Sequence, residues 1–478
     1  MTLRGYTVKE PLNILTEEEV ERIHCGTLEV LEETGVVFEH KKALEILEGA
    51  GCKVDCEKQR VRFPPSLVEE CIRKCPSSFS IKARERKNDL RMGGHTLYFG
   101  DMIGMDTLDV TTGERRAPTV QDTIDAVRVI DALDELHLCT APYFNLEGIP
   151  PVMVFPTLAS IIIRNSSKAT IGPTGYDVDI WLIKMAQATN QEIPGNATSA
   201  PPLTWGEGII TSTLRYIEAG FPIVPISGLN FGANAPVTLA GSLVLNNAEL
   251  ISLMVLTQAM SPGHRCWAAN YSQPLGMRTC QPILGAIEKG ICGMAFAQMW
   301  RRYGIPSLHF ASSDAKVPDY QCGYEKAMSL LIQSLAGYSL LSGAGVVYDE
   351  LTHSPIVTVM DADILGMIGR ILKGIEVTDE TLAVDLIKQV GPIPGHYLNT
   401  AHTRKWWKHE LFMPRLADKL SHPEWVKAGS KSIVERAKER VKEILATHEP
   451  TPLPEDQDKA IDEILEEARS YFKQRGMM

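Results

Sequence analysis

A repeated alternation of short apolar segments and helical patterns from Thr119 onward constrains the fold more than any other feature of this sequence. The apolar segments read HLCTAPYF, KATIGPT, ATSAPPLTW, FPIVPISGL, HRCWAANY, IPSLHFASS and GAGVVYD. Their spacing, mostly about 25 to 45 residues, is typical of strand-plus-helix units in a parallel sheet. Because no dinucleotide-binding fingerprint accompanies them, we predict an α/β protein with a closed β/α (TIM) barrel rather than an open doubly wound sheet.

The regions on either side of this alternation have different patterns. Thr16 and Glu19 form a capping box for a first helix, and glycines and prolines punctuate the chain that follows. We therefore predict an N-terminal helical and α+β cap at 1–118, the barrel at 119–400 and a C-terminal helical extension at 401–478. The last two helices are charged and amphipathic, so they form either a solvated surface pair or an arm that docks a partner or another subunit.

The composition is that of a globular protein with an acidic balance. The chain has 478 residues, of which 44% are hydrophobic and 22% charged, enough for one large domain or several smaller ones. The formal net charge of -11 argues against a nucleic-acid partner. The opening MTLRGYTVKEPLNILTEEE lacks the apolar region of a secretory signal, so we expect a cytoplasmic protein.

A long uncharged stretch, AMSLLIQSLAGYSLLSGAGVVY, lies between Lys326 and Asp349. A membrane span needs about 20 predominantly apolar residues. The Ser, Gln and Gly content of this stretch favours a buried helix followed by a buried strand instead. We therefore expect no membrane partner.

The ten cysteines predict neither disulfides nor a directly bound metal. The pairs Cys52 with Cys56 and Cys71 with Cys75 have a spacing that would allow paired ligands on a helix face. However, the second pair occupies positions that are usually core, and no CxxC or His-rich partner accompanies either pair. The chain also lacks the signatures G-x-x-x-x-G-K-[ST], G-x-S-x-G and H-E-x-x-H, so nucleotide-binding, serine-hydrolase and zinc-protease chemistry are not indicated.

The most specific stretch, HFASSDAKVPD, begins at His309 and reads as a strand that ends in a polar, charged loop. In β/α barrels the carboxyl ends of the strands carry the chemistry. We therefore take Ser312, Asp314 and Lys316 as candidate catalytic residues. Two other readings stay open: the Asp and Lys cap the next helix, or they form a structural ion pair.

The segments SSDAKVPDYQCGYEKA, FGANAPVTLAGSLVLNNAELISLMVLTQ, GHYLNTAHTRKWWKHELFMPRLADK and LTEEEVERIHCGTLEVLEETGV closely resemble the trimethylamine methyltransferase family. The resemblance covers most of the chain. It implies a β/α barrel that transfers a methyl group from a methylamine to the Co(I) corrinoid (cobalamin) of a small partner protein. Founding members carry pyrrolysine just before the Ser-Asp-x-Lys stretch, where this chain has Ser312. That difference implies the non-pyrrolysine branch, whose members resemble quaternary-amine demethylases, with glycine betaine as the first substrate to consider.

A trimethylammonium group is usually held by aromatic faces. Aromatic residues at predicted strand ends that could form such a cage are Tyr98, Phe144, Phe231, Tyr271, Phe310 and Tyr348. The carboxylate of a betaine needs hydrogen-bond donors. The candidates near predicted strand ends are His309, Lys316, Asn230, Asn270 and Gln321, with His353 as a weaker one. Core packing of the aromatic residues is the alternative, since barrel interiors are filled with side chains.

Several alternatives remain open at this stage. Another betaine (proline betaine, carnitine or γ-butyrobetaine) or trimethylamine itself could be the substrate. A non-catalytic betaine-binding barrel and a zinc-dependent methyltransferase are hypotheses of other classes. The basic aromatic cluster at Trp406 and Trp407 could cover the barrel mouth, receive the corrinoid protein or form a contact in a homo-oligomer.

Overall fold

The computed structural model describes residues 5–478, which contain seventeen α-helices and twenty strands. The helices are α1 Glu17–Glu29, α2 Lys41–Gly49, α3 Pro65–Lys74, α4 Val120–Ala132, α5 Pro151–Asn165, α6 Val178–Ala188, α7 Glu207–Glu218, α8 Leu239–Met260, α9 Ile287–Arg302, α10 Tyr320–Ala336, α11 Pro355–Lys373, α12 Asp379–Leu382, α13 Val384–Val390, α14 Ala401–Glu410, α15 His422–Lys427, α16 Ile433–Thr447 and α17 Glu455–Gln474. The capping box predicted for the first helix is confirmed, because the Thr16 hydroxyl accepts from Glu19 N and the Glu19 carboxylate accepts from Thr16 N.

The strands are short and fall into several sheets. They are β1 Tyr6–Thr7, β2 Val36–Phe38, β3 Lys53–Asp55, β4 Arg60–Arg62, β5 Ser78–Ile81, β6 Leu90–Gly93, β7 Thr96–Asp101, β8 Asp106–Leu108, β9 Arg115–Arg116, β10 Gly172–Pro173, β11 Gly195–Thr198, β12 Thr204–Trp205, β13 Ile223–Ser227, β14 Asn230–Phe231, β15 Ala268–Asn270, β16 Gln273–Pro274, β17 Ser307–Phe310, β18 Leu340–Ala344, β19 Val346–Val347 and β20 Thr352–His353. Four of the five sheets have two or four strands, and one has eight.

The eight-stranded sheet is the centre of a mixed α/β fold. Its strand order is β1-β7-β18-β17-β15-β13-β11-β10, and every pairing is parallel except that of β1 with β7. Regular pairing does not close this sheet into a ring. Leu138 nevertheless makes single parallel bridges to Gly100 in β7 and to Ala169 just before β10. The first and last parallel strands, β7 and β10, therefore lie beside the same short segment.

Helices α6 to α10 each connect consecutive parallel strands of the sheet, which confirms the strand-plus-helix units predicted from the segment spacing. The uncharged stretch between Lys326 and Asp349 forms most of α10 and then β18, as predicted. Helix α8 is the one helix among residues 5–478 that is long and apolar enough to cross a membrane by length and composition. Most of its surface is buried against the rest of the protein.

Alternation of side chains along the strands separates two apolar cores. In β13, Val224 and Ile226 belong to a core inside the curve of the sheet, whereas Ile223 packs in the larger core between sheet and helices. The β5–β6 hairpin adds Leu90 and Met92 to the inner core. Because the hairpin also contacts the beginning of β7, it covers the amino ends of the strands and leaves the carboxyl ends for other residues.

The C-terminal helices pack on the outside of the fold. Helix α16 buries Val441 and Ile444, and α17 buries Ile461 and Phe472. Their apolar faces are therefore covered by this chain itself. Arg164 of α5 fixes α17 through two ion pairs with aspartates of that helix.

The segment between α11 and α16, residues 374–432, is far less buried, with Leu416 as its one buried residue. Within it, Phe412 packs on Gly366 and Glu410 pairs with Arg370, both in the C-terminal half of α11. That half of α11 also contacts Tyr6, which pairs with the beginning of β7. The Trp406–Trp407 cluster on α14 therefore lies toward the amino ends of the strands, and the structure does not place it over their carboxyl ends.

Candidate active site

Polar residues meet where β15, β17 and β18 end. The parallel register pairs Asn270 with His309 and Phe310 with Ser342, so the loops that follow these strands leave the sheet side by side. Tyr271 comes directly after β15, the Ser312–Lys316 loop follows β17, and residues 348–350 follow β19. Since parallel strands present their carboxyl ends at one edge, these loops form a continuous candidate site.

Two carboxyl groups of this site titrate near neutrality. Burial raises the pKa of Asp349 to about 7, assisted by a hydrogen bond and charge repulsion with Asp314. Burial also raises the pKa of Glu350 to about 7, although Lys289 and the Tyr271 hydroxyl oppose that shift. The Tyr271 hydroxyl donates to Glu350 Oε2 at 2.5 Å. A cation that enters the site would therefore stabilise the ionised form of both carboxyl groups.

The loop that carries these carboxyl groups has an unusual backbone. Tyr348, Asp349 and Glu350 have φ angles of 55°, 55° and 66°, in the left-handed region that residues other than glycine rarely adopt. Each such residue costs on the order of 1 kcal/mol or more, and such strain concentrates at functional sites. Backbone hydrogen bonds from Tyr348 N to Ala315 O and from Asp349 N to Ser313 O hold the loop against the one that follows β17.

Lys316 contacts the strained loop rather than the carboxylate of Asp314. Its Nζ donates to the backbone oxygen of Asp314 at 2.7 Å and to Asp349 Oδ2 at 3.3 Å. The same Nζ lies 4.3 Å from the centre of the Tyr348 ring, and the Arg115 guanidinium lies 5.0 Å from that centre. Two cations of the protein thus already contact the Tyr348 ring.

Tyr271 and Phe310 form the aromatic part of the site. Their ring centres are 5.5 Å apart with the planes nearly perpendicular; Phe310 is buried and Tyr271 is half-buried. Burial and the neighbouring Glu350 raise the pKa of Tyr271 well above its usual value, so the hydroxyl stays protonated and donates to Glu350. Lys289 Nζ lies 5.3 Å from the centre of the Tyr271 ring.

Glu325 of α10 supports the loop after β17. Its Oε2 accepts hydrogen bonds from the Ser313 hydroxyl at 2.6 Å and from Asp314 N at 2.8 Å. Its Oε1 accepts from Gln321 Nε2 at 2.8 Å, so Gln321 is engaged with Glu325. The Asp314 carboxylate accepts from Leu284 N at 2.7 Å. These bonds fix the loop from both sides.

Several buried polar atoms near the strand ends have no hydrogen-bond partner within residues 5–478. They include Lys289 Nζ, His309 Nε2, Ser312 Oγ, Glu350 Oε1 and both ring nitrogens of His353. Buried polar groups are normally satisfied, and exceptions often mark functional positions. The sequence indicated Ser312 and His309, whereas Lys289 and Glu350 were missed. Glu350 could have been found, because it follows the last apolar segment, but Lys289 in the first turn of α9 gave no signal.

The structure brings together Tyr271, Phe310, Ser312, Asp314 and Lys316, and it places other candidates elsewhere. Tyr98 lies near the amino end of β7, where its hydroxyl accepts from Arg91 N. Phe144 is 46% exposed and packs on Phe155. Phe231 is buried in the outer core. The ring of His309 packs against Tyr338, whose hydroxyl donates to the backbone of α9, so His309 faces the helices.

The metal-binding side chains remain dispersed in this fold. Among residues 5–478, no group of three or more His, Cys, Asp and Glu side chains is arranged to hold a metal ion. All ten cysteines are free, and burial raises the pKa of the Cys52 thiol to about 12. A surface depression of about 700 Å³ lies on the outside between α6 and α17 near Trp181, away from the strand ends.

The comparisons with known proteins agree over nearly the whole chain. The sequence model of the trimethylamine methyltransferase family matches residues 4–152 and 181–471. Trimethylamine methyltransferase MttB of Desulfitobacterium hafniense (strain DCB-2) is 32% identical, covering 96% of this chain and 94% of that protein. Glycine betaine methyltransferase of Desulfitobacterium hafniense (strain Y51) is 31% identical, covering 97% of each.

The fold also resembles a solved structure. The crystal structure of the Methanosarcina barkeri monomethylamine methyltransferase MtmB superposes with a TM-score of 0.52 over 95% of this chain and 92% of that one. The two sequences are only 14% identical, so this likeness concerns the fold alone. By the match of the family model and the full-length relatives, this chain is a methyltransferase that belongs to the trimethylamine methyltransferase family.

Proposed function

We propose that this methyltransferase removes a methyl group from a quaternary amine, glycine betaine before others, and passes it to the Co(I) of a corrinoid carried by a partner protein. The products would be dimethylglycine and the methylated corrinoid. The observation that carries this proposal is the cluster of Tyr271, Phe310 and Glu350 at the strand ends. The relative named glycine betaine methyltransferase supports the same substrate.

Aromatic rings and a carboxyl group suit a quaternary ammonium ion. A cation against an aromatic face gains about 0.5 to 2 kcal/mol, depending on how fully it is desolvated. Tyr271 and Phe310 offer such surfaces, and Glu350 Oε1 is a buried acceptor with no partner among the described residues. Because a bound cation favours the ionised form, substrate binding should lower the pKa of Glu350 from its value of about 7.

The charge of the leaving group determines whether the protein must supply a proton. When the C–N bond breaks, its electron pair stays on nitrogen and a neutral tertiary amine leaves, so no proton is required from the protein. The bound corrinoid would supply the nucleophile, and the residues of this chain would position the ammonium ion. Its positive charge disappears during transfer, so Glu350 stabilises the bound substrate more than the transition state and should act mainly on KM.

Ser312 supports a quaternary rather than a tertiary substrate. It occupies the position where the resemblance implies pyrrolysine in the founding members, and its hydroxyl is buried. We propose that it packs against the substrate and forms no covalent adduct.

We further infer that the central sheet closes into a β/α barrel through the segment around Leu138. The bridges to Gly100 and Ala169 support this closure. The three-part division into 1–118, 119–400 and 401–478 is part of the same proposal, with one adjustment. We place the first barrel strand at β7, since it pairs with β18 in parallel. A cytoplasmic location and a corrinoid protein as partner complete the proposal.

A spectroscopic assay tests the proposed function. A corrinoid is reduced to Co(I), the purified protein is added, and glycine betaine or trimethylamine is supplied in turn. Loss of the Co(I) band with glycine betaine, but not with trimethylamine, is expected. Loss with trimethylamine alone would contradict the quaternary-amine assignment. Absence of methyl transfer with any betaine, despite betaine binding, would identify a binding protein instead.

A further inference from the structure

Three lysines within residues 5–478 are buried, and two of them are fully accounted for. Lys168 Nζ donates to the backbone oxygens of Ile130 and Leu133, both at 2.6 Å. Lys326 Nζ donates to Gly343 O at 2.6 Å and pairs with Asp361 Oδ2 at 2.8 Å. Lys289 is equally buried, with 1% of its surface exposed, yet its Nζ has no partner in the described part of the chain.

Burying an ammonium group without a hydrogen-bond partner costs folding free energy, so Lys289 is a candidate functional residue. Lys289 lies in the first turn of α9, where the helix dipole adds positive potential. Burial lowers its pKa, while the carboxyl groups of Glu350, Asp314 and Asp349 act in the opposite direction without bonding to it. The positive potential is therefore available to an anion that enters the site.

Tyr271 contacts both Lys289 and Glu350. Lys289 Nζ lies 5.3 Å from the centre of the Tyr271 ring, and the hydroxyl of the same ring donates to Glu350. Phe310 packs edge-on against that ring. A positive pole and a negative pole thus flank one aromatic side chain, each with a buried polar atom left over: Nζ of Lys289 and Oε1 of Glu350.

This arrangement, with a positive and a negative group on either side of Tyr271, is complementary in charge to a zwitterion. In glycine betaine one methylene group separates the trimethylammonium ion from the carboxylate. We propose that Lys289 binds the carboxylate of the substrate, so that the site selects betaines over quaternary amines that lack a carboxylate. This inference rests on the proposed function, because it assigns the second pole of the same substrate site.

Calorimetric binding without corrinoid tests the inference separately from methyl transfer. The ligands are glycine betaine, choline, which keeps the trimethylammonium group but has a hydroxyl group in place of the carboxylate, and 3,3-dimethylbutyrate, which keeps the carboxylate but has carbon in place of nitrogen. Wild-type protein should bind glycine betaine at least about tenfold more tightly than choline, a difference of about 1.4 kcal/mol. Lys289→Met should lose that preference and its affinity for 3,3-dimethylbutyrate, while choline affinity changes less than about twofold.

Lys289→Arg should restore much of the preference, because it keeps the positive charge. Lys184→Met is the matched control, since Lys184 lies on the outside of α6 beside Trp181 and Glu467. Lys289→Met should unfold at the same temperature as wild type or higher, since it removes an unpaired buried charge. Equal losses for betaine and choline, a lowered unfolding temperature with no change in preference, or no preference in wild type would each overturn the inference.

Methyl transfer is then measured with the same preparations. If wild-type protein prefers betaine and Lys289→Met abolishes that preference, but no methyl reaches Co(I), the inference stands and the proposed function fails. If methyl transfer from betaine proceeds equally in wild type and Lys289→Met at low betaine concentration, the proposed function stands and the inference fails.

Discussion

Buried lysines and carboxyl groups lie at both the amino ends and the carboxyl ends of the strands in the central sheet. The two sets differ in their hydrogen bonding. At the amino end, Lys168 donates to two backbone oxygens, and Asp131 accepts from Ser167 N at 2.9 Å and from His448 Nε2 at 2.9 Å. Burial alone would raise the pKa of Asp131, but the Ser167 hydrogen bond and the charge of Lys168 outweigh it and leave the pKa lowered. Lys168 and Asp131 are therefore both hydrogen-bonded within the protein.

At the carboxyl end, Lys289 Nζ and Glu350 Oε1 have no hydrogen-bond partner among the described residues. Burial raises the pKa of both Asp349 and Glu350 to about 7, and Lys289 is buried without a bond. The backbone of residues 348–350 is held in the left-handed region. The difference shows that burial by itself does not define a site. Buried charges that are bonded stabilise the fold, whereas those left unbonded are available to a ligand.

The largest expected effect comes from breaking the amino end. Lys168→Met should lower the free energy of unfolding by roughly 2 to 5 kcal/mol, because it leaves two buried backbone oxygens without a donor and Asp131 without a neighbouring positive charge. Denaturant titration measures the loss. Lys289→Met provides the comparison, since it should cost no stability. Equal losses in the two variants would remove the distinction between the ends.

The second effect concerns substrate affinity. Glu350→Gln should raise the KM for glycine betaine about tenfold or more, as expected for the loss of a desolvated charge partner, with a smaller change in kcat. The same variant should gain about 1 to 3 kcal/mol of stability at pH 8, where the wild-type carboxylate is ionised and buried. Steady-state kinetics and denaturant titration check the two parts. A fall in kcat with KM unchanged would contradict a binding role.

The pH dependence sharpens the comparison further. A carboxyl group whose pKa is raised on folding binds more protons in the folded state, so its contribution to stability falls as pH rises from about 4 to 7. Betaine affinity should move the other way and increase through pH 7, as Glu350 and Asp349 ionise. Calorimetric binding measurements from about pH 5.5 to about pH 8, in steps of about half a pH unit, would show this change in betaine affinity. Betaine affinity of Glu350→Gln should depend less on pH. A pH profile identical to that of wild type would exclude Glu350 as the source of the dependence.

The smallest effect is expected at Ser312. If no covalent adduct forms, Ser312→Ala should change kcat/KM for glycine betaine by less than about threefold, well under 1.4 kcal/mol of barrier. The spectroscopic Co(I) assay measures the rate. A loss of several orders of magnitude would require a direct chemical role for the Ser312 hydroxyl.

The sequence predicted the repeated units and one loop of the site correctly, because both depend on local patterns. Spacing of apolar segments indicated the alternation of β11 to β18 with their helices, and the polar run after His309 indicated the loop of Ser312 and Asp314. It did not reveal β7 as a strand of the central sheet, since β7 follows a hairpin that lies outside the repeat.

Tertiary placement explains the remaining differences. Tyr98 and Phe310 both lie on strands of one sheet, but sequence gives no indication of which end of a short strand an aromatic side chain will occupy. Lys289 lies in a helix, and only packing of α9 on the strands brings its Nζ to Tyr271. An ion pair between Lys316 and Asp314 was one open alternative, yet the turn of the loop directs Lys316 to Asp349 and Tyr348.

The most direct test of the account is product formation from glycine betaine with a reduced corrinoid as methyl acceptor, followed by proton NMR. We expect dimethylglycine to appear in step with loss of Co(I), and we expect Glu350→Gln and Lys289→Met both to slow its appearance at low betaine concentration. Dimethylamine formed from trimethylamine, with glycine betaine left intact, would contradict it.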